Sequence, residues 1–302
     1  MLKNRIYEYC PAKVNLFLQA TQKRKDGYHN LVSLVAFTRF ADKLAIAHAE
    51  QDSLTVSGPY AEALEGAGGD TILSCLMREL RAAGYLIPPL DIHLEKHIPL
   101  GGGLGGGSAD GAGLLRILFR LKIINETDPK IYQIASKIGA DLPICMTPSF
   151  QVMRETGSLI EPLKPPPDPI FCVLANPAIH LSTPDVFAGL DANSLFRGKL
   201  ETEQIEQKLV SGQWQELIGI GNNLTEAAVQ LCPEINMLIS EMTKFGRQNL
   251  AKMFIGAAMS GSGASCFGLV TSKEAADRLA AYLKGLNFWA QSTELINSRF
   301  FD

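Results

Sequence analysis

The stretch PLGGGLGGGS at residues 99–108 is the key to interpreting this chain. It places six glycines in the seven positions 101–107, between a proline and a serine. Glycine allows positive φ angles and lets a ligand approach the backbone closely. Residues 108–121 then carry leucines at 115, 118 and 121, a spacing that predicts a helix with one buried face. A glycine loop that leads into a helix N-terminus presents N–H groups and a positive dipole end, so the stretch predicts an anion site, usually for phosphate.

Three other interpretations of the glycine stretch fit less well. A Walker loop requires lysine where Ser108 stands. The dinucleotide pattern GxGxxG matches, but a run of so many glycines satisfies it easily. The dinucleotide-binding fold also places a fully buried strand before the loop, whereas residues 90–95 alternate like a half-buried strand. A flexible linker would mix in other small or charged residues and would not separate a strand pattern from a helix pattern.

The composition is that of an ordinary globular protein. Of the 302 residues, 46% are hydrophobic and 20% charged, and the net charge of −3 gives no reason to expect nucleic-acid binding. Six scattered cysteines without a CxxC pair predict reduced thiols in a cytoplasmic protein. No apolar run reaches the roughly 18 residues of a membrane span, and the charged first residues do not resemble a signal peptide. We therefore expect no membrane association.

The patterns along the chain predict an α+β protein with two domains. Short apolar or alternating runs predict strands at 5–10, 14–21, 31–40, 43–49, 53–57 and 90–95. Helices are predicted at 70–83, 108–121 and 128–139. The proline-rich stretch KPPPDP predicts a stiff connector, so we place the domains at 1–163 and 164–302. In the second domain, strands at 170–175, 252–258, 264–270 and 287–292 with a helix at 273–283 predict a ferredoxin-like layer.

Two motifs near the start each allow a structural and a functional interpretation. PAKVNL puts Lys13 and Asn15 on one face of a strand, which is either an exposed face or a polar site. DGYH carries the usual turn pair of a hairpin, and Tyr28 and His29 beyond it are suited to stacking on a base and bonding to it.

Two later motifs are open in the same way. GADLP is either a helix C-cap followed by a turn aspartate or the site of a catalytic base, Asp141. SGSGAS, between two predicted strands, is either a plain hairpin or a second source of N–H donors for phosphate. His93 and His97 lie about 13 Å apart on a predicted strand, so we expect a solvated face there rather than zinc.

Taken together and in this order, the motifs resemble those of the GHMP small-molecule kinases over nearly the whole chain: PAKVNLFL, DGYH, PLGGGLGGGS, GADLP and SGSGAS. The first two narrow the resemblance to the branch that uses ATP to phosphorylate the 2-hydroxyl of 4-diphosphocytidyl-2-C-methyl-D-erythritol in the non-mevalonate isoprenoid pathway. The resemblance implies an N-terminal ribosomal-protein-S5-like domain, a C-terminal ferredoxin-like domain and an active site in the cleft between them.

The resemblance also implies roles for the matching residues. Lys13, Asn15 and Asp141 would form the catalytic centre, with Asp141 as base and Lys13 offsetting charge on the phosphoryl group. The ATP-binding residues would be Pro99, Gly101, Gly102, Gly103, Leu104, Gly105, Gly106, Gly107 and Ser108. The substrate-binding residues would be Tyr28, His29, Lys96, Thr183 and Phe187. Thr183 fits a helix N-cap before Pro184 equally well.

The implied cofactors are ATP, as the phosphoryl donor, and Mg²⁺. No dedicated protein cage for the metal is expected, and Ser108 is the candidate protein ligand. The expected partner is a small-molecule substrate, with neither nucleic acid nor membrane, and the chain is expected to be a cytoplasmic monomer or weak homodimer.

Two departures from the family pattern bear on ATP binding. Ala109 replaces a second serine, and Asp70-Thr71-Ile72 stands where asparagine-leucine is common near the adenine. Two alternatives remain open at this point: a GHMP kinase for another small alcohol, such as mevalonate or homoserine, and a nucleotide-binding protein without catalysis.

Overall fold

The computed structural model describes residues 5–66, 71–190 and 194–297 and has the predicted α+β composition. The chain divides into two compact units, each made of separate stretches. Unit 1 contains Met1–Ala12, Ala41–Leu100 and Gly105–Thr147, and unit 2 contains Lys13–Phe40, Gly101–Leu104 and Pro148–Asp302. The division at 163/164, which follows sequence order, remains a prediction.

Two long strands, β1 (Ile6–Lys23) and β2 (His29–His48), replace the four shorter runs expected before residue 50. They pair with each other around the DGYH turn. Pro11 does not interrupt β1, because β2 is its only full strand neighbour among the described strands, and proline is tolerated at a sheet edge. Residues 10–20 of β1 are buried without alternation, which hides the period-two signal in this part of the sequence.

Unit 1 builds its sheet on the second half of β2. β4 (Leu90–Glu95) pairs antiparallel with residues 43–48 and parallel with β3 (Ser53–Ser57), and its burial alternates as predicted. The helices are α1 (Ala61–Gly66), α2 (Ile72–Ala82), α3 (Gly106–Arg120), α4 (Pro129–Ile138) and α5 (Leu142–Cys145). Thr71 caps α2, and the expected first residue of that helix, Asp70, lies outside the described residues. α3 begins at Gly106 rather than at Ser108.

Unit 2 contains the predicted ferredoxin-like sheet. β7 (Phe171–Asn176), β8 (Phe254–Met259), β9 (Cys266–Val270) and β10 (Trp289–Glu294) pair antiparallel in the order β10-β7-β9-β8. β5 (Gln151–Glu155) and β6 (Leu159–Pro162) extend the first half of β2 instead. The helices are α6 (Thr183–Ala188), α7 (Thr202–Val210), α8 (Trp214–Gly219), α9 (Thr225–Leu231), α10 (Glu234–Phe245) and α11 (Lys273–Gly285). Burial of Leu238, Met242, Leu279 and Leu283 with the β7 and β9 side chains forms the core of this unit.

Two chain-wide features agree with the composition. All six cysteines are free thiols, and all but Cys75 are buried. Within the described residues, no helix is both long enough and apolar enough to cross a lipid bilayer.

Candidate functional site

The glycine segment 101–104 is held in unit 2 by its carbonyl groups. Three consecutive carbonyls accept hydrogen bonds from two parts of the chain. Gly102 O accepts from Ser265 N–H at 3.0 Å and Gly103 O from the Ser260 hydroxyl at 3.2 Å, both in the 260–265 loop, and Leu104 O accepts from Lys13 N–H at 2.8 Å. The N–H groups of residues 101–104 have no protein acceptor within the described part of the chain. A backbone that uses its carbonyls internally and keeps its N–H groups available is suited to holding an anion.

Glycine is required at position 103 for two reasons. Its φ of +75° lies in the left-handed region that side chains disfavour. A Cβ there would also lie 2.6 Å from the Ser260 carbonyl oxygen and 2.9 Å from that of Gly263, both of which are backbone atoms. The close approach of two backbone segments, together with the ligand's need for space, accounts for a run of glycines at this point.

In unit 1, the N-terminus of α3 follows directly after this segment in the chain. Gly105 occupies the N-cap position with φ +65°, makes no side-chain capping bond, and no acidic residue lies in the first turn. The first-turn N–H groups and the positive end of the helix dipole are therefore not neutralised by an acidic side chain of the helix. Ser108, nearly buried, lies in this turn, and the missing second serine leaves a buried Ala109 beside it.

The donor set fits a magnesium ion that arrives with a nucleotide. No group of three His, Cys, Asp or Glu side chains within residues 5–66, 71–190 and 194–297 is placed to hold a metal by itself. Mg²⁺ takes most of its ligands from phosphates and water and needs only one or two protein oxygens. The Ser108 hydroxyl lies in the first turn of α3, and its binding of Mg²⁺ remains a prediction.

Lys13 and Asn15 are 3% and 0% exposed, so the interpretation of PAKVNL as a solvent-exposed face is wrong. The Asn15 N–H donates to Ser260 Oγ at 3.1 Å, and Asn15 Nδ2 donates to Ser33 Oγ at 2.8 Å. Ser33 belongs to no motif, and Ser260 is part of SGSGAS, but the sequence gave no sign that either serine contacts Asn15. β2 and the 260–265 loop place them within hydrogen-bond distance of Asn15.

The first interpretation of SGSGAS, a hairpin loop, is confirmed. The segment joins antiparallel strands β8 and β9, as a hairpin loop does. Its Ser260 and Ser265 also bond to the carbonyls of the glycine segment, and Asn176 Nδ2 donates to Ser265 Oγ at 2.7 Å. The loop thus supports the glycine segment in unit 2, while direct contact of its N–H groups with phosphate remains a prediction.

Asp141 lies in unit 1 at the junction of two helices. Gly139 ends α4, and Asp141 occupies the N-cap position of α5 without making a side-chain capping bond. The carboxylate is half-buried and is not used to cap the helix that follows it. The role of Asp141 as a base remains a prediction.

The predicted base-binding residues come together in unit 2. DGYH is a hairpin turn, with Gly27 at φ +89° and Tyr28 N–H donating to Asp26 Oδ1 at 3.2 Å. The His29 ring stacks on Phe187 with centroids 5.4 Å apart and an interplanar angle of 25°. Burial, and then the charge of Lys23, lowers the pKa of His29, which favours the neutral imidazole with one donor and one acceptor nitrogen. Tyr28 remains 68% exposed.

Thr183 is not the N-cap of α6, so that alternative is wrong. Ser182 occupies the cap position and accepts from Asp185 N–H at 3.4 Å. The Thr183 hydroxyl instead forms a hydrogen bond with Ser262 Oγ at 2.8 Å. Thr183 and Phe187 are four residues apart on α6, which puts them on the same side of the helix.

Lys96 lies in a buried charge cluster of unit 1 that sequence reasoning missed. Its ammonium donates at 2.6 Å to both Asp42 Oδ2 and Asp110 Oδ2, and its side chain is 1% exposed. Burial lowers the pKa of Lys96, but the charges of Asp110 and Asp42 outweigh this and raise it above its usual value. The only hint in the sequence was an aspartate among the small residues of α3. Binding of a nucleotide by Lys96 remains a prediction.

Asp110 differs from Asp42 in how well it is satisfied. Asp42 Oδ1 also accepts from the N–H groups of His97 and Ile98, at 2.5 and 2.8 Å. Asp110 Oδ1 is buried and has no hydrogen-bond partner in the described parts of the chain. Burial raises the pKa of Asp110 above its usual value, the charge of Lys96 acts against this and the charge of Asp42 adds to it.

Comparison with known proteins identifies relatives over the full length of the chain. The GHMP kinases N terminal domain matches residues 70–148, and the GHMP kinases C terminal domain matches residues 206–286. The 4-diphosphocytidyl-2-C-methyl-D-erythritol kinase of Rhizobium etli (strain CIAT 652) is 37% identical over 298 residues, covering 97% of this chain and 95% of that protein. That of Agrobacterium fabrum is 36% identical over 92% of this chain and 91% of its own.

A solved structure supports the same relationship. The crystal structure of a 4-(cytidine 5'-diphospho)-2C-methyl-D-erythritol kinase matches with a TM-score of 0.77 at 31% identity, covering 96% of this chain and 99% of that one.

Changing Gly103 to alanine tests the close approach of the two backbone segments. We expect Gly103→Ala to raise the KM for ATP about tenfold or more, because the new Cβ forces the 260–265 loop away from the glycine segment. Gly212→Ala is the matched control, since Gly212 has φ +73° but no atom within 4 Å of the added Cβ. Equal effects of the two variants on KM in steady-state assays would contradict this account.

Lys96→Met tests the buried cluster. Removing the cation leaves two buried carboxylates facing each other, and we expect the free energy of unfolding to fall by about 3–5 kcal/mol. Lys43→Met removes an exposed partner of Glu95 in the same unit and should change it by less than about 1 kcal/mol. Urea unfolding of both variants measures the difference. A Lys96→Met protein as stable as the Lys43→Met protein would show that the cluster contributes nothing to folding.

Proposed function

Because this chain belongs to the GHMP kinase family, it is an ATP-dependent small-molecule kinase, and we propose that its acceptor is 4-diphosphocytidyl-2-C-methyl-D-erythritol. The reaction transfers the γ-phosphoryl group of ATP to the 2-hydroxyl and gives the 2-phosphate and ADP, a step of the non-mevalonate isoprenoid pathway. Relatives with this name match at 36–37% identity over more than nine-tenths of the chain, which favours this acceptor over mevalonate or homoserine.

The observation that carries the choice of acceptor is the ring pair of His29 and Phe187. The rings stack at 5.4 Å in unit 2, with the Thr183 hydroxyl on the same side of α6. Aromatic rings of this kind bind a nucleobase through its face, and a neutral imidazole adds one donor and one acceptor for its edge. Mevalonate and homoserine have no ring to use such a pair, whereas cytidine does.

The phosphates of ATP are proposed to lie on the N–H groups of the glycine stretch and of the first turn of α3. These groups stabilise negative charge without a lysine in the loop, which explains how Ser108 can occupy the Walker lysine position. Mg²⁺, when bound with ATP through Ser108 and the phosphates, supplies neutralising charge.

Three residues are proposed to act on the acceptor hydroxyl and the transferred group. Asp141 accepts the proton from the 2-hydroxyl as that oxygen attacks phosphorus. Lys13 offsets negative charge on the phosphoryl group, and Asn15 orients the hydroxyl. Because phosphoryl transfer passes through a loose transition state, positioning and charge stabilisation carry most of the rate, and proton removal adds the remainder.

The acceptor is identified by measuring ADP formation from the purified protein with ATP and Mg²⁺. We expect turnover with 4-diphosphocytidyl-2-C-methyl-D-erythritol and at least about a hundredfold lower kcat/KM with 2-C-methyl-D-erythritol, because base stacking contributes about 1–3 kcal/mol and the diphosphate contributes more. Equal turnover of the two alcohols, or preference for mevalonate or homoserine in the same assay, would refute the proposed acceptor.

Asp141→Asn tests the base at constant shape. We expect kcat to fall by about 10²–10⁴-fold with the thermal midpoint nearly unchanged, since the amide cannot accept the proton. Asp128→Asn makes the same change at another helix N-cap of unit 1, where asparagine caps as well as aspartate. That control should keep its activity. Full activity of Asp141→Asn would remove the base from the mechanism.

A further inference from the structure

Asn15 is held at two points by buried serines, and only one of its polar side-chain atoms is left over. Its N–H donates to Ser260 Oγ and its Nδ2 to Ser33 Oγ, and all three residues are 0% exposed. Its Oδ1 is buried and has no hydrogen-bond partner in the described parts of the chain. An unpaired buried acceptor is costly, so a donor from a ligand is expected there.

The direction of the bonds fixes which end of the amide faces Ser33. The Ser33 hydroxyl lies 2.6 Å from the Phe17 carbonyl oxygen, which can only accept, so Ser33 donates its single proton to Phe17. Ser33 Oγ can then only accept from Asn15, and the group facing it must be the NH₂. This relay, from Phe17 through Ser33 to Asn15, turns Oδ1 away from Ser33 and leaves it as the free acceptor.

The loop residue beside Oδ1 is a glycine. A Cβ on Gly261 would lie 3.5 Å from Asn15 Oδ1 and 3.1 Å from the Gly103 carbonyl oxygen. Gly261, at φ +60°, is in the same loop as Ser260. Oδ1 therefore lies near the glycine segment within unit 2, on the side where the loop carries no side chain.

We propose that Ser33 is a positioning residue for phosphoryl transfer, which orients Asn15 so that Oδ1 accepts a hydrogen bond from the hydroxyl of the acceptor alcohol. The chemistry discriminates between the two substrates. Ionised phosphate oxygens carry no proton to donate and are repelled by Oδ1, whereas an alcohol donates to it. This inference rests on the proposed kinase function and adds the group that selects a hydroxyl.

A double-mutant cycle on kcat tests the proposal. We expect Ser33→Ala to lower kcat about 10–100-fold while the KM for ATP changes less than about threefold, because the misoriented amide no longer holds the hydroxyl. In the Asn15→Ala background the same change should lower kcat no further, since Ser33 acts only through Asn15. Thr38→Val removes another buried hydroxyl of β2, bonded to the Phe40 carbonyl at 3.0 Å, and should leave kcat within about threefold.

Equal losses from Ser33→Ala in the two backgrounds, or a Ser33→Ala protein with normal kcat, would overturn the proposal. If Ser33→Ala does not fold, Asn15→Asp answers the same question. The ionised carboxylate at position 15 has no proton to donate to Ser33 Oγ, whereas the protonated carboxyl group has one. The kcat of this variant, relative to that of the unchanged protein, should therefore rise as the pH is lowered. A ratio independent of pH would count against the relay.

The choice of acceptor separates this inference from the proposed function. The cycle is measured with the alcohol that the unchanged protein phosphorylates fastest. If that alcohol is not the cytidylyl compound, the proposed acceptor is wrong, while the coupling between Ser33 and Asn15 remains measurable. If no alcohol is phosphorylated, both are overturned.

Discussion

The close packing of the glycine segment 101–104 against the 260–265 loop is the constraint on which the functional part of unit 2 depends. Backbone meets backbone there, with room for no Cβ at Gly103. The carbonyls of residues 102–104 accept from that loop and from the N–H of Lys13, so β1 is bound to the same segment. Lys13 is consequently held by the glycine segment, and Asn15 by Ser260 of the loop, as well as by their own strand. A change in that backbone would displace groups that are distant in sequence.

The two buried polar clusters differ in what they leave unsatisfied. Around Asn15, donors and acceptors are matched until a single acceptor remains, which is a pattern suited to binding a ligand. Around Lys96, one cation faces two carboxylates, and the remaining acceptor belongs to Asp110. Removing one member of either cluster leaves a buried polar group without its partner in an apolar environment, which is costly. Both clusters therefore favour a single packing arrangement of the surrounding elements. The first cluster leaves the acceptor that our proposal assigns to a ligand, and the second links α3 to β2 through Lys96 within unit 1.

Local patterns predicted much of the fold and of the site. The alternation in β4, the Asp128 cap of α4 and the succession of strands and helix along the ferredoxin-like layer follow from short-range signals and are confirmed. The predicted length of β1 is too short, because burial of both faces of the strand removes the alternation by which a strand is identified in sequence. The sequence also suggested Thr183 as a cap because serine and threonine are nearly equivalent in that role, and only the backbone shows that Ser182 takes it.

Most of the supporting residues lay beyond sequence reasoning for a common reason. Ser33, Asp42 and Asp110 belong to no motif, and Ser260 lies in SGSGAS, which does not reveal its partner. The bonded residues lie between 14 and 245 positions apart in the chain. Only folding brings these residues into contact with their partners. The motif residues themselves, such as His29 and Phe187, were named from resemblance, and their stacking confirms only that they are neighbours.

The composition of the units from separate stretches has a consequence for how the chain is made. Unit 2 needs residues 13–40, which are synthesised early, and β10, which pairs with β7 over residues 289–294. The Phe37 carbonyl also accepts a hydrogen bond from the N–H of Ile296. During translation, the β1–β2 hairpin therefore lacks part of the packing for its apolar side chains until residues 289–296 have been synthesised. Such long-range closure favours slow folding.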